Sequence, residues 1–242
     1  MSIISIRNLV KIRQKGQTRF RLEVDRLDVE PGAFVAVVGS SGSGKSTLLD
    51  LLALVLAPDS AEAFSIAPSG GAPVDLMALW DGRRDRPRAD LRRRHFGYVL
   101  QTGGLLPFLT VRGNAELPYR LLGRRPDAAR IVAVARRLGI EDRLTYNPSI
   151  LSGGQRQRSA ILRAIVHGPT IILADEPTAA VDRDRAIQIV GDLAALARDE
   201  RRTVLMVTHD EALIAPHATV KVRFDVRTIS EAETISTARI AA

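Results

Sequence analysis

Cysteine is absent from the chain, which excludes disulfides, thiolate metal sites and a cysteine nucleophile. Long apolar runs are absent too. The longest, Leu48 to Ala57, is interrupted by Asp50 and falls far short of the ~20 residues that a spanning helix needs. The first residues, Met1 to Asn8, lack the basic-then-apolar order of a secretory signal. Aromatics are scarce, at 4% with a single tryptophan. Together these absences predict a soluble, cytoplasmic protein. There is nevertheless ample material for a core, because 45% of the 242 residues are hydrophobic. That length suits one large domain or a core with a subdomain.

Charge is unevenly distributed. The formal net charge is +8 and the isoelectric point is near 10.6, and seven arginines crowd the stretch from Arg83 to Arg94. Such a run reads first as a solvated face and second as a contact for lipid headgroups. Nucleic acid fits less well, since no aromatics interleave with these arginines as stacking on bases requires.

The pattern along the chain is that of an α/β protein. Ile3 to Val29 reads as strands, with Phe20, Leu22 and Val24 alternating with charged residues as in a half-buried antiparallel sheet. Val35 to Val38 reads as a buried parallel strand feeding a glycine-rich turn and a helix through Leu48, Leu49, Leu51 and Leu52. Pro58 to Pro73 reads as loop with at most short strands. Helical patterns dominate from Gly104 to Ser149, notably Ala128 to Leu138. After Gly153 come a helix, the strand Thr170 to Ala174, the helix Arg185 to Ala197 and the strand Thr203 to Val207. This alternation implies a parallel sheet covered on both faces. From Arg227 onward the chain is polar and reads as a disordered tail.

Gly39, Ser40, Ser41, Gly42, Ser43, Gly44, Lys45 and Ser46 fit the phosphate-loop pattern G-x-x-x-x-G-K-[ST], between a predicted strand and a predicted helix. Its glycines let successive N–H groups curl inward onto phosphate oxygens, and the following helix, from Thr47 on, adds its positive end. In that role Lys45 reaches the β- and γ-phosphates of a nucleoside triphosphate and the Ser46 hydroxyl ligates Mg²⁺. A glycine turn merely joining strand to helix would not require lysine and serine in this register. The apolar run Ile171 to Ala174 ends in Asp175 and Glu176. At the carboxyl edge of such a sheet Asp175 supports the metal, and Glu176 orients or deprotonates the attacking water.

Leu151, Ser152, Gly153, Gly154 and Gln155 form a second anion-binding pattern, with a hydroxyl and two glycine N–H groups at a helix start. Ser152 is also a good helix N-cap. All five positions match the signature motif of ABC ATPases, which the chain resembles over roughly residues 3 to 225. The resemblance implies a P-loop NTPase (RecA-like) core of parallel sheet, with an N-terminal antiparallel β subdomain and an inserted helical subdomain. The implied division is a single domain, 1–225, with core 1–100 and 159–225, signature subdomain 101–158 and a polar tail 226–242. It further implies that Gln101 contacts Mg²⁺ and the attacking water, that Asp182 crosses a dimer interface near ATP, and that His209 contacts the γ-phosphate. Two copies would then pack head to tail, each signature covering the ATP held by the other's phosphate loop.

Within the family, Gly39 to Leu49, Leu105 to Pro107 and Leu173 to Thr178 are similar to the lipoprotein-releasing, macrolide-export and cell-division group. That likeness implies an ATP-driven motor for a separate integral membrane subunit, held peripherally at the inner face of the membrane. A slow, nucleotide-gated switch of a membrane signalling or secretion complex is the alternative. Chromosome-organising relatives insert a long coiled coil between the motif halves, whereas here about 50 residues separate Gln101 from Leu151. A translation-associated relative would need two such domains, and no nucleic-acid partner is expected. The chain departs from the family where Arg13 replaces the aromatic that stacks on adenine, with Phe20 the nearest ring. A guanidinium can stack on a purine as well. Gly113 replaces an acid, Pro58 to Pro73 lacks the usual Thr-Ser-Gly, and Ala179 and Ala180 replace a more polar pair.

Overall fold

The computed structural model describes residues 2–68, 71–81 and 85–241. Ser69 and Gly70 of the predicted loop, and Arg83 and Arg84 of the arginine run, lie outside the described residues. The chain opens with an antiparallel pair, β1 (Ile4–Lys15) and β2 (Thr18–Val29), followed by β3 (Phe34–Val38) and α1 (Lys45–Leu52). Short elements β4 (Ala63–Ile66), β5 (Val74–Asp75), α2 (Met77–Asp81) and α3 (Asp85–His95) lead to β6 (Phe96–Val99). Three helices come next, α4 (Val111–Leu121), α5 (Ala128–Arg137) and α6 (Gly153–Ile165). Then β7 (Ile171–Asp175), α7 (Arg183–Asp199), β8 (Thr203–Val207) and α8 (Glu211–Ile214) precede a closing hairpin, β9 (Val220–Ser230) and β10 (Glu233–Ile240).

All these strands join one sheet in the order β5-β4-β1-β2-β10-β9-β3-β8-β7-β6. Every residue of β3, β7 and β8 is buried, as parallel strands covered on both faces must be. The pleat sends alternate side chains to opposite faces and so divides two cores. Val35, Val37, Ile171, Leu173, Leu205 and Val207 join one core with Leu48, Leu49, Leu51 and Leu52 of α1 and the inner faces of β1 and β2. Phe34, Ala36, Val38, Ile172, Ala174, Val204 and Met206 join the other, against α4 to α7. Each fully buried leucine or isoleucine contributes roughly 1.5–3 kcal/mol relative to an exposed one. Gly97 in β6 marks the tightest approach, since a Cβ there would stand 2.1 Å from the Ala164 carbonyl oxygen of α6.

The predicted α/β alternation is present, with strand and helix limits within a few residues of those expected. The predicted disordered tail is not. Residues 220–230 and 233–240 are paired strands, and β10 bridges the sheet by running parallel to β2 and antiparallel to β9. Its polar character reflects one exposed face, while Val222, Phe224, Ser236 and Ala238 are buried. Helix α3, which carries the arginine run, buries none of its side chains, in keeping with a solvated face. Its arginines also make local contacts: Arg88 lies 3.8 Å from the centroid of the Trp80 ring, and Arg93 bonds the Leu121 carbonyl. No helix among the described residues is long and apolar enough to cross a membrane.

Ending the chain at Asp225 would remove β10 and separate β2 from β9. The expected result is a fall in melting temperature of more than about 10 °C, measured by circular dichroism. An unchanged melt would show that the hairpin is dispensable.

Candidate functional site

Strands β3, β8, β7 and β6 lie side by side and run in parallel. Their carboxyl ends therefore share one sheet edge, which is where ligands of open parallel sheets bind. Each strand delivers a residue singled out by the sequence: the loop from Gly39 follows β3, His209 follows β8, Glu176 follows β7 and Gln101 follows β6.

The loop is shaped by glycine at its exit. Gly44, at φ 97°, caps α1 in a left-handed conformation that costs little only without a side chain. A Cβ there would also come within 2.9 Å of the Phe20 ring, so the missing side chain lets β2 lie against the loop. Lys45 is buried, and its ammonium donates to the carbonyls of Gly39 at 2.9 Å and Ser40 at 2.7 Å. Burial pushes its pKa down, while the charges of Glu176 and Asp175 oppose that shift.

Asp175 is buried at the end of β7. Burial raises its pKa, and a hydrogen bond from the Ser46 side chain opposes the rise. Ser46 and Asp175 thus form an oxygen pair of the kind that suits a hard cation completing its shell with phosphate and water. Among the described residues no group of three or more histidines and carboxylates forms a self-sufficient metal cage.

Glu176 has φ 48°, a left-handed backbone whose cost is of order 1–3 kcal/mol outside glycine. Its N–H is held by the Val207 carbonyl of β8 at 3.1 Å. The side chain is gripped from both neighbouring strand ends. His209 Nε2 lies 2.6 Å from Oε1, and Gln101 Nε2 donates to Oε2 at 3.2 Å.

Arg13, Phe20, Ser41 to Thr47, Gln101, Glu176 and His209 line one cavity of about 340 Å³. The structure thus gathers most of the predicted site around the loop. It does not bring in Ser152, Gly153, Gly154, Gln155 or Asp182. Ser152 instead caps α6, accepting from the Gln155 N–H while the Gln155 side chain accepts from the Ser152 N–H. Asp182 caps α7.

Sequence reasoning missed Asp50 and Tyr98. The Tyr98 hydroxyl donates to Asp50 at 2.9 Å, and the negative charge of Asp50 is one of the influences raising Asp175. The one available signal was an acid interrupting the apolar face of α1. A second hollow of about 320 Å³, lined by Ala179, Val181, Arg183 and Thr208, reaches the other side of Glu176 and His209.

A phosphate grip and a clasped carboxylate at one edge of the same parallel sheet make this a P-loop nucleotide-binding domain. Residues 22–179 match the family model described as ABC transporter, and the chain belongs to that family. It is 42% identical over 191 residues to the macrolide export ATP-binding/permease protein MacB of Shigella flexneri, a match covering 78% of this chain and 28% of that protein. The MacB protein of Rhodopseudomonas palustris (strain BisB18) is 42% identical over 194 residues, with the same coverage. The chain thus spans little more than a quarter of the length of these relatives. Among solved structures it resembles the dimeric structure of MJ0796, a bacterial ABC transporter cassette, with a TM-score of 0.80, 30% identity and coverage of 91% of this chain and 93% of that one. A post-hydrolysis dimeric state of MJ0796 bound to ADP and Pi aligns with a TM-score of 0.79 at 29% identity, with the same coverage. The chain is thus an ABC-type nucleotide-binding cassette.

Gly44→Ala is expected to destabilise the fold by about 1–3 kcal/mol in urea titration, from the left-handed backbone and the Phe20 contact. Adding Phe20→Ala should remove the contact part, so that the two substitutions together cost less than their sum. Strict additivity would show that Phe20 does not depend on the missing side chain.

Proposed function

We propose that the chain is the ATP-hydrolysing motor of a membrane complex, working as a head-to-tail dimer around two ATP and driving a membrane-embedded permease-type partner. The observation that carries this reading is the division of the motifs. Phosphate grip and carboxylate share one cavity, while the signature stands outside it with a prepared helix start. The amides of Gly153 and Gly154 have no acceptor within the helix and suit an anion that the same chain holds elsewhere. A second copy would bring its signature to that anion, and Asp182 would lie at the junction between the two. The MJ0796 cassettes are dimeric, and the MacB relatives are described as joining ATP binding and permease in one protein. Both support the assembly. With such a partner the cassette would sit peripherally on the cytoplasmic face.

Chemically, Lys45 and the loop amides from Gly39 to Thr47 hold the β- and γ-phosphates. Glu176 takes a proton from, or orients, the attacking water, and its carboxylate is already aimed by Gln101 and His209. His209 also stands ready to donate to the γ-phosphate. Ser46 and Asp175, with Gln101, would hold Mg²⁺, which when bound supplies positive charge to the phosphate oxygens. Arg13 would lie against the base.

Glu176→Gln should keep ATP binding and lower steady-state turnover about 100-fold or more; near-normal hydrolysis would remove Glu176 from the water-activating role. Ser152→Arg should leave ATP binding by the monomer intact and abolish hydrolysis. Loss of binding in that variant would refute the sandwich. A slow switch is the second reading, favoured by Ala179 lining the hollow behind Glu176 where the family carries a polar group. Turnover measured with and without the membrane partner separates the two, because strong stimulation belongs to the motor alone.

A further inference from the structure

The phosphate cavity opens past Arg13, Phe20 and Gly42 into a larger hollow of about 590 Å³. The far wall of that hollow belongs to no motif. It is formed by Glu231, Ala232 and Thr234, from the turn of the C-terminal hairpin and the start of β10.

This turn is tied to the nucleotide-binding half by three contacts. The Arg19 N–H donates to the Ala232 carbonyl at 2.7 Å, and the Arg19 guanidinium lies 3.9 Å from the Glu233 carboxylate. Four residues beyond Ala232, the buried Ser236 hydroxyl donates at 2.6 Å to the carbonyl of Ser43, inside the phosphate loop itself. The register also sets Thr234 beside Phe20 and Ser236 beside Leu22. The strand that carries the wall is therefore bonded to the loop that grips the phosphates, and the two are held in fixed relation.

The hollow begins where the phosphate grip ends, so it takes what a triphosphate carries: a ribose and a base. Phe20 offers an apolar side, and Arg13, its cross-strand partner, a guanidinium plane suited to a purine face. Glu231 is exposed and has no ion pair or hydrogen bond among the described residues. An ionised carboxylate only accepts hydrogen bonds. Adenine presents a 6-amino donor, whereas a 6-oxo purine presents an acceptor at the same place.

We propose that the β9–β10 turn is the outer wall of the base subsite, and that the Glu231 carboxylate accepts from the adenine 6-amino group. The chain would then discriminate ATP from 6-oxo purine triphosphates without the aromatic residue usual for the family. This inference rests on the ATP-binding reading above.

The test is an equilibrium titration of the full chain and of Glu231→Ala with three probes: ATP, inosine triphosphate and inorganic tripolyphosphate. The unaltered chain should bind ATP at least about fivefold more tightly than inosine triphosphate. Glu231→Ala should weaken ATP by about fivefold, the net worth of a single solvent-exposed hydrogen bond, and leave the other two probes unchanged. Equal losses for ATP and inosine triphosphate, or no loss for either, would overturn the proposal. An unaltered chain that binds tripolyphosphate and no nucleotide overturns the base wall alone. One that binds none of the three overturns the nucleotide reading and the wall with it.

Discussion

The site depends on one constraint, the lateral order of four parallel strands. Because β3, β8, β7 and β6 are neighbours in that order, the phosphate loop, His209, Glu176 and Gln101 emerge side by side at one edge. Residues as far apart in sequence as Ser46 and Asp175, or Gln101 and Glu176, are thereby brought within hydrogen-bonding distance. Glu176 is the middle member, clasped by the residues that follow β6 and β8, and its N–H is pinned to β8. The left-handed backbone at Glu176 is tolerable because both flanking strands over-determine it. A one-residue slip of β7 against β8 would turn its side chains to the opposite face and undo the clasp together with both cores.

Electrostatics at this edge is a balance between burial and mutual charge. Lys45 and Asp175 are each disfavoured as ions by burial, and each is sustained by the other and by local hydrogen bonds. The lysine is held by two carbonyls of its own loop, and the aspartate by Ser46. Glu176 and Asp50 add negative charge around Asp175, so the interior of the site holds more acid than base. An excess of carboxylate beside a phosphate grip is sensible only where cationic charge accompanies the phosphates, in accord with the Ser46 and Asp175 oxygen pair.

Much of this was legible in the sequence, for identifiable reasons. The phosphate loop needs specific residues at fixed spacing, and the buried strands are continuous apolar runs, so both announce themselves. Asp50 with Tyr98 was not legible, because their pairing requires α1 to lie against β6, a tertiary fact. The hairpin was misread for a different reason. The alternation of Val220, Val222, Phe224 and Val226 with charged residues stops where the stretch read as a tail begins. In β10 the buried positions are Ser236 and Ala238, too small and polar to mark a half-buried strand. Ser236 carried no signal at all, since its value lies in meeting the Ser43 carbonyl across the whole length of the chain.

The same hairpin changes how the departures from the family should be weighed. Taken alone, Arg13 in place of an aromatic suggests a weakened base site. In the folded chain Arg13 stands opposite Phe20, whose ring lies against the Gly44 backbone, and both face a hollow closed by the C-terminal turn. A ring at position 20 and an acid at position 231 can share work that one stacking residue does elsewhere. Tying β10 to the phosphate loop through Ser236 then has a physical purpose, because a wall that positions a base must keep its distance from the grip that positions the phosphates.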